Sequence, residues 1–215
     1  MSYIVERREE EKERRRAQLL DAAESLYAKL GWEALTMEKV ARNARLSRAL
    51  VYIYFRDKDD LLFAIGERAM KQLYQRFAAA VETPGSGLDK IMAIGRAYMG
   101  YALEFPHYFD FCSRFERHEA SSTATPNEEA CEKAGDAVMG LLVQVIQGGV
   151  SDGSIAPTVA REPLMLAFSL WAFTQGIVQI SVAKGGDLAR RGAPVAEFGN
   201  YAFELLQGLL RGAPA

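Results

Sequence analysis

The chain is poor in the residues that form disulfides, bind metals or carry out nucleophilic catalysis. Its 215 residues include two cysteines and two histidines. Cys112 and Cys131 form neither a CxxC pair nor a zinc-ligand spacing, which is typical of reduced thiols in a cytosolic protein. His107 and His118 belong to no Glu-x-x-His pair or zinc set, and no spacing of Ser, His and Asp indicates a catalytic triad. We therefore expect no metal, no cofactor and no enzymatic activity.

The chain also lacks a secretory signal and a strong net charge. No apolar run follows the charged residues at the N-terminus, so we expect a cytoplasmic protein. With 49% hydrophobic and 25% charged residues, the composition is that of a soluble globular protein, which excludes disordered and collagen-like classes. The formal net charge of −2 gives no hint of a polyanionic partner, but a small total can hide local charges of opposite sign.

One segment, residues 164–183, contains no charged residue and is long enough to cross a bilayer as a helix. In lipid its polar side chains would have no second span to satisfy them. They are Ser169, Thr174, Gln175, Gln179 and Ser181. The alternative is a helix at the centre of a bundle or in a subunit interface. We favour this alternative and expect no membrane partner.

Apolar residues recur every three or four positions along the chain, which predicts an all-α fold. No window alternates convincingly with period two, and no internal repeat occurs. Stop and cap signals divide the pattern into about nine helices. In the first part, Gly31 ends a long helix, Thr36 caps a short one, and Asp57 caps a longer one. The apolar face of that longer helix is predicted to consist of Leu62, Ile65, Ala69, Leu73 and Phe77.

The second part of the chain continues the helical pattern. Pro106 opens an aromatic helix, and residues 118–125 are small and polar, which predicts a loop. Thr125, Pro126 and Glu128 then supply the cap, first-turn proline and capping-box acid of the next helix. Two further helices are predicted to begin near residues 162 and 198. The helix that begins at Pro126 is predicted to end at a group of glycines. The glycines are Gly148, Gly149 and Gly153.

Two short helices joined by three residues predict a helix-turn-helix. The first helix covers residues 37–44, the turn 45–47 and the second helix 48–54, and a longer helix stands on each side. In such a motif the second helix enters the DNA major groove. Residues 36–58 contain six basic and two acidic residues, whereas residues 84–215 carry a net charge of −4. The net charge of −2 is therefore the sum of +2 over residues 1–83, which contain this basic patch, and −4 over residues 84–215.

The apolar residues Val51 and Phe55 are four residues apart, so we expect them to pack inward on Ala41 and Leu62. The side chains that then face outward are Arg48, Ala49, Tyr52 and Ile53. Arginine can bond guanine edges, alanine or isoleucine can meet thymine methyls, and a tyrosine hydroxyl can reach phosphate. Thr36, Ser47 and Lys58 stand at predicted helix N-termini, where free N–H groups attract phosphate. The alternative is solvated surface charges and core tyrosines.

The run from Leu19 to Leu62 resembles the N-terminal domain of the TetR family of transcriptional regulators. The motifs that carry the resemblance are Leu20-Asp21-Ala22-Ala23, Gly31-Trp32, Thr36, Val40-Ala41, Leu46-Ser47, Val51-Tyr52-Ile53-Tyr54-Phe55 and Lys58-Asp59-Asp60-Leu61. Arg45 stands where the family usually has glycine, and Ala49-Leu50 where it often has glycine or threonine. The predicted DNA-contact set is Thr36, Arg45, Ser47, Arg48, Ala49, Tyr52, Tyr54 and Lys58.

The resemblance implies a homodimeric repressor that a small ligand releases from a palindromic DNA operator. It also implies that the last two helices form the dimer interface, which accounts for the charge-free segment. We expect residues 1–60 to bind DNA and residues 61–215 to bind the ligand and dimerise. The helix over residues 57–82 would connect the two parts and act as a lever.

Residues 88–180 are rich in aromatic side chains, and a bundle interior of this kind is a plausible cavity for an apolar or aromatic effector. The predicted ligand-binding residues are Arg96, Tyr98, Tyr101, Phe105, Phe109, Trp171 and Gln175. The alternative for each of them is core packing. Two competing functions stay open at this point: a helical-bundle carrier or enzyme without DNA binding, and a structural adaptor.

Overall fold

The computed structural model describes residues 3–115 and 124–212, and within these ranges the chain forms nine α-helices and no strand. The helices are α1 (Tyr3–Leu30), α2 (Met37–Asn43), α3 (Arg48–Tyr54), α4 (Lys58–Val81), α5 (Gly87–Glu104), α6 (Pro106–Phe115), α7 (Pro126–Ser151), α8 (Pro163–Arg190) and α9 (Val195–Arg211). The predicted all-α class is confirmed. Most of the loop predicted over residues 118–125, with His118, lies outside the described ranges.

Local capping interactions place several helix ends where the sequence predicts them. Gly31 has a φ of +75° and ends α1, a conformation that glycine adopts without steric cost. The Thr36 hydroxyl accepts a hydrogen bond from the Lys39 N–H at 3.2 Å and caps α2. At the start of α7, the Glu128 N–H donates to the Thr125 hydroxyl at 3.1 Å, and the Thr125 N–H donates to the Glu128 carboxylate at 3.3 Å. This reciprocal pair is a capping box.

The predicted end of α7 is wrong at two of its three glycines. Gly148 and Gly149 lie inside α7, which continues to Ser151, and only Gly153 has the positive φ, +77°, that ends a helix. The backbone of Gly149 lies against that of Gly87. A Cβ atom added to Gly87 would stand only 2.3 Å from the Gly149 Cα. These glycines therefore allow close approach of two backbones instead of ending a helix.

The buried face of α4 is shifted by one residue at its start. Leu61 is fully buried, whereas Leu62 is half-buried, so the predicted role of Leu62 in the core is wrong. The buried row continues at intervals of four with Ile65 and Ala69 and extends through Leu73 and Phe77. A row at i, i+4 follows one stripe of a helix, and Leu61 stands on that stripe.

The chain packs as two compact units. The first combines the described residues up to 69 with those from 105 to 133, and the second combines 70–104 with the described residues from 134 onward. In the first unit the carboxylate of Asp60 is 4% exposed. It accepts hydrogen bonds from the Arg56 N–H at 2.8 Å, the Thr125 hydroxyl at 2.6 Å and the Asn127 amide at 3.0 Å. This network fixes the beginnings of α4 and α7 to each other.

In the second unit, α8 and α9 pack together and leave large apolar side chains exposed. On α8 they include Leu164, Met165, Phe168, Ile180 and Val182, and on α9 they are Tyr201, Leu205 and Leu209. In the part of the chain that the structure describes, α8 is the one helix long and apolar enough to cross a membrane by length and composition, and 33% of its apolar window is buried.

Candidate nucleic-acid interface

The turn between α2 and α3 is built around a left-handed arginine. The Leu46 N–H donates to the Ala41 carbonyl at 2.9 Å and the Arg45 N–H to the Arg42 carbonyl at 3.1 Å, which is the Schellman pattern of helix ends. Arg45 has a φ of +54° and is the one non-glycine residue with positive φ in the described chain. The connection spans residues 44–47, one residue longer than predicted. The turn therefore holds Arg45 in a left-handed conformation that glycine would adopt without strain.

The recognition helix α3 is anchored by its cap and two buried side chains. The Ser47 hydroxyl accepts a hydrogen bond from the Leu50 N–H at 3.2 Å and caps the helix. Val51 and Phe55 are both fully buried, which confirms the inward face predicted from their spacing. Because these two residues hold α3 in the core, the opposite face of the helix is turned to solvent.

The outward face of α3 divides into a polar and an apolar row. Arg48 donates to the Tyr52 hydroxyl at 3.5 Å, and its guanidinium lies 5.6 Å from the centre of the Tyr52 ring. Ala49 and Ile53, one turn apart, form the second row, and all four side chains are exposed as predicted. Tyr54 is half-buried, with its ring 6.5 Å from that of Phe55. Hydrogen-bonding and apolar groups therefore stand side by side on the exposed face of α3.

Lys58, the first residue of α4, is held against Trp32. Its ammonium donates to the Trp32 carbonyl at 2.7 Å and lies 4.4 Å from the centre of the indole ring. Burial lowers the pKa of Lys58, although the charges of Glu33 and Asp59 act in the opposite direction. The contact is a cation–π interaction that positions the ammonium without removing its charge.

A surface groove of about 390 Å³ brings part of the predicted contact set together. The predicted residues that line it are Thr36, Arg48, Tyr52 and Lys58. The acidic residues Glu33 and Glu38 also line it, and Glu38 pairs with Arg42 at 2.9 Å. Four predicted contacts lie outside the groove: Arg45, Ser47 and Ala49 are exposed, and Tyr54 is half-buried.

The second unit contains a small, partly open apolar cavity of about 30 Å³. Its lining includes Phe77, Ile91, Ile94, Leu142, Leu170, Thr174, Phe203 and Leu206. Two predicted ligand-binding residues, Tyr98 and Trp171, also line it, with ring centres 4.9 Å apart. The Tyr98 hydroxyl donates to the buried side-chain carbonyl of Gln175. The predicted face of α8 that carries Trp171 and Gln175 thus meets α5 beside a cavity.

The other predicted ligand-binding residues lie elsewhere. Arg96 lines an outer groove of about 250 Å³ between α5 and α9. Tyr101 is buried, with the Arg76 guanidinium 5.5 Å from its ring centre. Phe105 and Phe109 are half-buried and belong to the first unit. The structure therefore brings Tyr98, Trp171 and Gln175 together, but not the whole predicted set.

One residue that the sequence analysis did not single out separates the cavity from the outer groove. The side chain of Phe203 lines both of them. Its ring lies over Gly95, where an added Cβ would stand 2.5 Å from a ring carbon. Phe203 therefore lies between the small apolar cavity and the more polar outer groove.

Comparison with protein-family models extends over both parts of the chain. The model of bacterial regulatory proteins of the tetR family matches residues 19–65. The model of the tetracyclin repressor-like C-terminal domain matches residues 91–200, which is 110 of the 215 residues. The chain belongs to the TetR family. It is a DNA-binding transcriptional regulator, and this result favours regulation over the helical-bundle carrier or enzyme considered above.

Individual relatives of this TetR chain are moderately similar. The transcriptional regulator HbdR of Aromatoleum sp. (strain CIB) is 36% identical over 70 residues, which cover 33% of this chain and 31% of that protein. The uncharacterized regulator YhgD of Bacillus subtilis (strain 168) is 24% identical over 154 residues, or 72% of this chain and 77% of that protein. The chain thus spans about a third of the first relative and three quarters of the second.

Solved structures share the fold over almost the whole TetR chain. A protein of unknown function from Rhodococcus sp. RHA1 is 28% identical with a TM-score of 0.75, covering 92% of this chain and 95% of that one. The regulator FadR of Bacillus subtilis, solved in complex with stearoyl-CoA, is 16% identical with a TM-score of 0.68, covering 92% and 99%. The likeness to FadR concerns the fold alone.

Two residues beside the candidate interface are not in the predicted contact set. Ile53 shares the exposed face of α3 with Arg48 and Tyr52, and helical spacing alone carries that signal. Trp32 holds Lys58 although 26 residues separate them, and no spacing rule indicates such a pair. Side-chain placement was needed to find it.

Proposed function

We propose that this TetR regulator is a repressor that binds a near-palindromic operator as a homodimer and leaves it when a small effector binds. The observation that carries the proposal is the division of α3 into a buried face with Val51 and Phe55 and an exposed face with Arg48 and Tyr52. A helix anchored in this way can enter the major groove without losing its core contacts. Two copies would read half-sites about one DNA turn apart.

In this proposal residues 1–60 bind DNA, and residues 61–215 bind the effector and dimerise. The side chains proposed to contact DNA are Thr36, Arg45, Ser47, Arg48, Ala49, Tyr52, Tyr54 and Lys58. Arg48 would bond a guanine edge, because its guanidinium is exposed at the start of α3. Lys58 would contact phosphate, because Trp32 holds its ammonium beside the groove.

Selection of bound duplexes from a random pool by the full chain tests DNA binding. We expect an enriched sequence with two inverted half-sites, bound with nanomolar affinity in a mobility-shift assay. Arg48→Ala should weaken that complex at least tenfold, whereas Lys29→Ala should leave it unchanged, since Lys29 is an exposed base outside the proposed contact set. Failure of the wild-type chain to enrich any sequence would reject the proposal.

The homodimer rests on the exposed apolar surface of α8 and α9. Several large exposed apolar side chains on two packed helices of a soluble protein mark an interaction site, and two helices from each of two copies can form a four-helix bundle. The same surface would explain the apolar character of α8 in a cytoplasmic protein without a membrane span. Burial against a second copy needs no lipid.

Sedimentation velocity at micromolar concentration without detergent tests the dimer. We expect a dimer for the wild-type chain and a monomer for Leu209→Glu. Leu103→Glu is the matched control, because Leu103 on α5 and Leu209 on α9 are both 66% exposed. A folded wild-type monomer, or equal behaviour of the two variants, would contradict the proposed interface.

The proposed effector is an apolar or aromatic molecule with one hydrogen-bonding group. The cavity is lined by aliphatic and aromatic side chains, and the Tyr98–Gln175 pair beside it offers a polar contact. A volume of about 30 Å³ holds one water molecule, so the effector must enlarge the cavity. Displacement of Phe203 would join the cavity to the outer groove that contains Arg96. The roles predicted for Tyr101, Phe105 and Phe109 in effector binding stay predictions, because none of these residues lines the cavity.

A cavity-filling variant tests the effector site. N-phenyl-1-naphthylamine is a neutral aromatic probe whose fluorescence rises in apolar surroundings. We expect Leu142→Phe, which adds volume to the cavity lining, to weaken probe binding and probe-induced operator release. Leu141→Phe is the control, because Leu141 is half-buried and does not line the cavity. Equal probe binding by both variants would place the probe elsewhere.

We further propose that effector binding shifts the population toward a conformer whose two recognition helices are wrongly spaced for successive grooves. α4 contributes residues to both compact units and is the natural lever. No enzymatic step enters this mechanism. Operator affinity that stays constant at saturating probe would contradict it.

A further inference from the structure

Ile53 is the most exposed large apolar side chain among the residues whose burial the structure describes. It is 73% exposed at the end of α3. Val51 and Phe55 supply the fully buried side chains beneath the helix, whereas most of the Ile53 side chain lies outside the core. Single exposed apolar side chains are common on protein surfaces, so the role of this isoleucine has to be inferred from its neighbours on α3.

The neighbours of Ile53 indicate what covers it. Ile53 follows Ala49 by one turn, and this apolar row runs beside the polar row of Arg48 and Tyr52. A helix that places Arg48 at a base edge therefore brings Ile53 into the same groove. In the major groove the C5-methyl of thymine is the apolar group that distinguishes bases.

We propose that Ile53 is a specificity-determining residue that reads the C5-methyl group of one thymine in each operator half-site. The inference rests on the proposed DNA-binding function and adds a base preference to it. Ala49 on the same row carries a single methyl group, so the longer Ile53 side chain reaches further from the helix. The proposed contact set above does not contain this residue.

Helix geometry also limits how far the thymine lies from the guanine that Arg48 contacts. Arg48 and Ile53 are five residues apart, which corresponds to about 7.5 Å along the helix axis. With about 3.4 Å between successive bases, this is about two base-pair steps. The thymine should therefore lie within about two base pairs of the guanine that Arg48 contacts.

The test uses the full chain and the operator duplex enriched from the random pool. Each thymine is replaced in turn by deoxyuridine, which removes the methyl group and keeps every hydrogen-bonding atom. We expect one symmetric position at which a single replacement weakens binding about fourfold and replacement in both half-sites about fifteenfold, since each replacement forfeits one buried methyl. All other positions should change affinity less than twofold.

Ile53→Ala and Ile53→Val identify the residue responsible. In Ile53→Ala the deoxyuridine penalty should vanish, and in Ile53→Val it should be partly kept. Replacement of the contacted guanine by 7-deazaguanine removes the N7 acceptor. It should weaken binding by the same factor in the wild type and in Ile53→Ala, because that contact belongs to Arg48. Folding is not at risk, since Ile53 is 73% exposed.

Three outcomes would overturn the inference. If the wild-type chain binds the operator but no deoxyuridine replacement changes its affinity more than the others, the proposed role of Ile53 is rejected. The proposed repressor function is then unaffected. A penalty of equal size in Ile53→Ala would assign the methyl contact to another residue. Absence of wild-type binding to every duplex would reject the proposed function and this inference with it.

Discussion

Thr125 is the side chain whose hydroxyl we expect to contribute most to the stability of the first unit. It donates to the buried carboxylate of Asp60 at 2.6 Å and accepts the Glu128 N–H at 3.1 Å as the cap of α7. Thr125 and Asp60 are both almost fully buried. Thr125→Val keeps the shape and volume of the side chain and removes only the hydroxyl, so it isolates these two hydrogen bonds.

The expected loss follows from the two bonds. A hydrogen bond to a charged group contributes about 1.5–3 kcal/mol, and loss of a helix N-cap costs about 1 kcal/mol. The Asp60 carboxylate still accepts from the Arg56 N–H and the Asn127 amide, so the charge is not left unpaired. We therefore expect Thr125→Val to lower the free energy of unfolding by about 3 kcal/mol.

Urea unfolding at one fixed protein concentration measures this loss, because association with a second copy would change the apparent stability. A Trp171→Phe background leaves Trp32 as the fluorescent reporter of the first unit. Thr125→Ser is the matched control, since it keeps the hydroxyl and should lose less than about 1 kcal/mol. Equal stability of the valine and serine variants would refute the reasoning.

Three further predictions concern the turn, the phosphate contact and a thiol. Arg45→Gly should raise the free energy of unfolding by about 0.5–1 kcal/mol, because glycine adopts the observed φ of +54° without strain; thermal melts in which Arg45→Ala is equally stabilised would argue against this. Lys58→Ala should weaken binding to all duplexes alike and reduce the slope of log affinity against log salt by about one per protomer; sequence-selective weakening would contradict a phosphate contact. Burial raises the pKa of the Cys131 thiol to about 12, so in a Cys112→Ala background a thiol reagent at pH 8 should react only after denaturation, and fast labelling of the folded chain would show that the thiol is accessible.

Sequence predicts the helix-turn-helix well because its boundaries are set by local interactions. Thr36 and Ser47 cap α2 and α3 as their spacing indicates, since a cap joins residues three positions apart. The buried and exposed faces of α3 follow from the i, i+4 rule for the same reason. These features need no knowledge of the rest of the fold.

Features that depend on distant parts of the chain escaped prediction. Gly149 lies inside α7 because its backbone meets that of Gly87, and a glycine carries no local sign of such an approach. Trp32 and Lys58 meet across 26 positions. Phe203 separates the cavity from the outer groove through contacts on α5 and α9, which periodicity cannot reveal.

Protection of guanine N7 from dimethyl sulfate on the enriched operator tests the central claim most directly, because N7 lies in the major groove. The account predicts two protected guanines, related by symmetry and about one helical turn apart. In Arg48→Ala both should become reactive while the chain still binds at low salt. Protection that persists in Arg48→Ala, or a bound duplex without any protected guanine, would contradict the claim that α3 reads the major groove through Arg48.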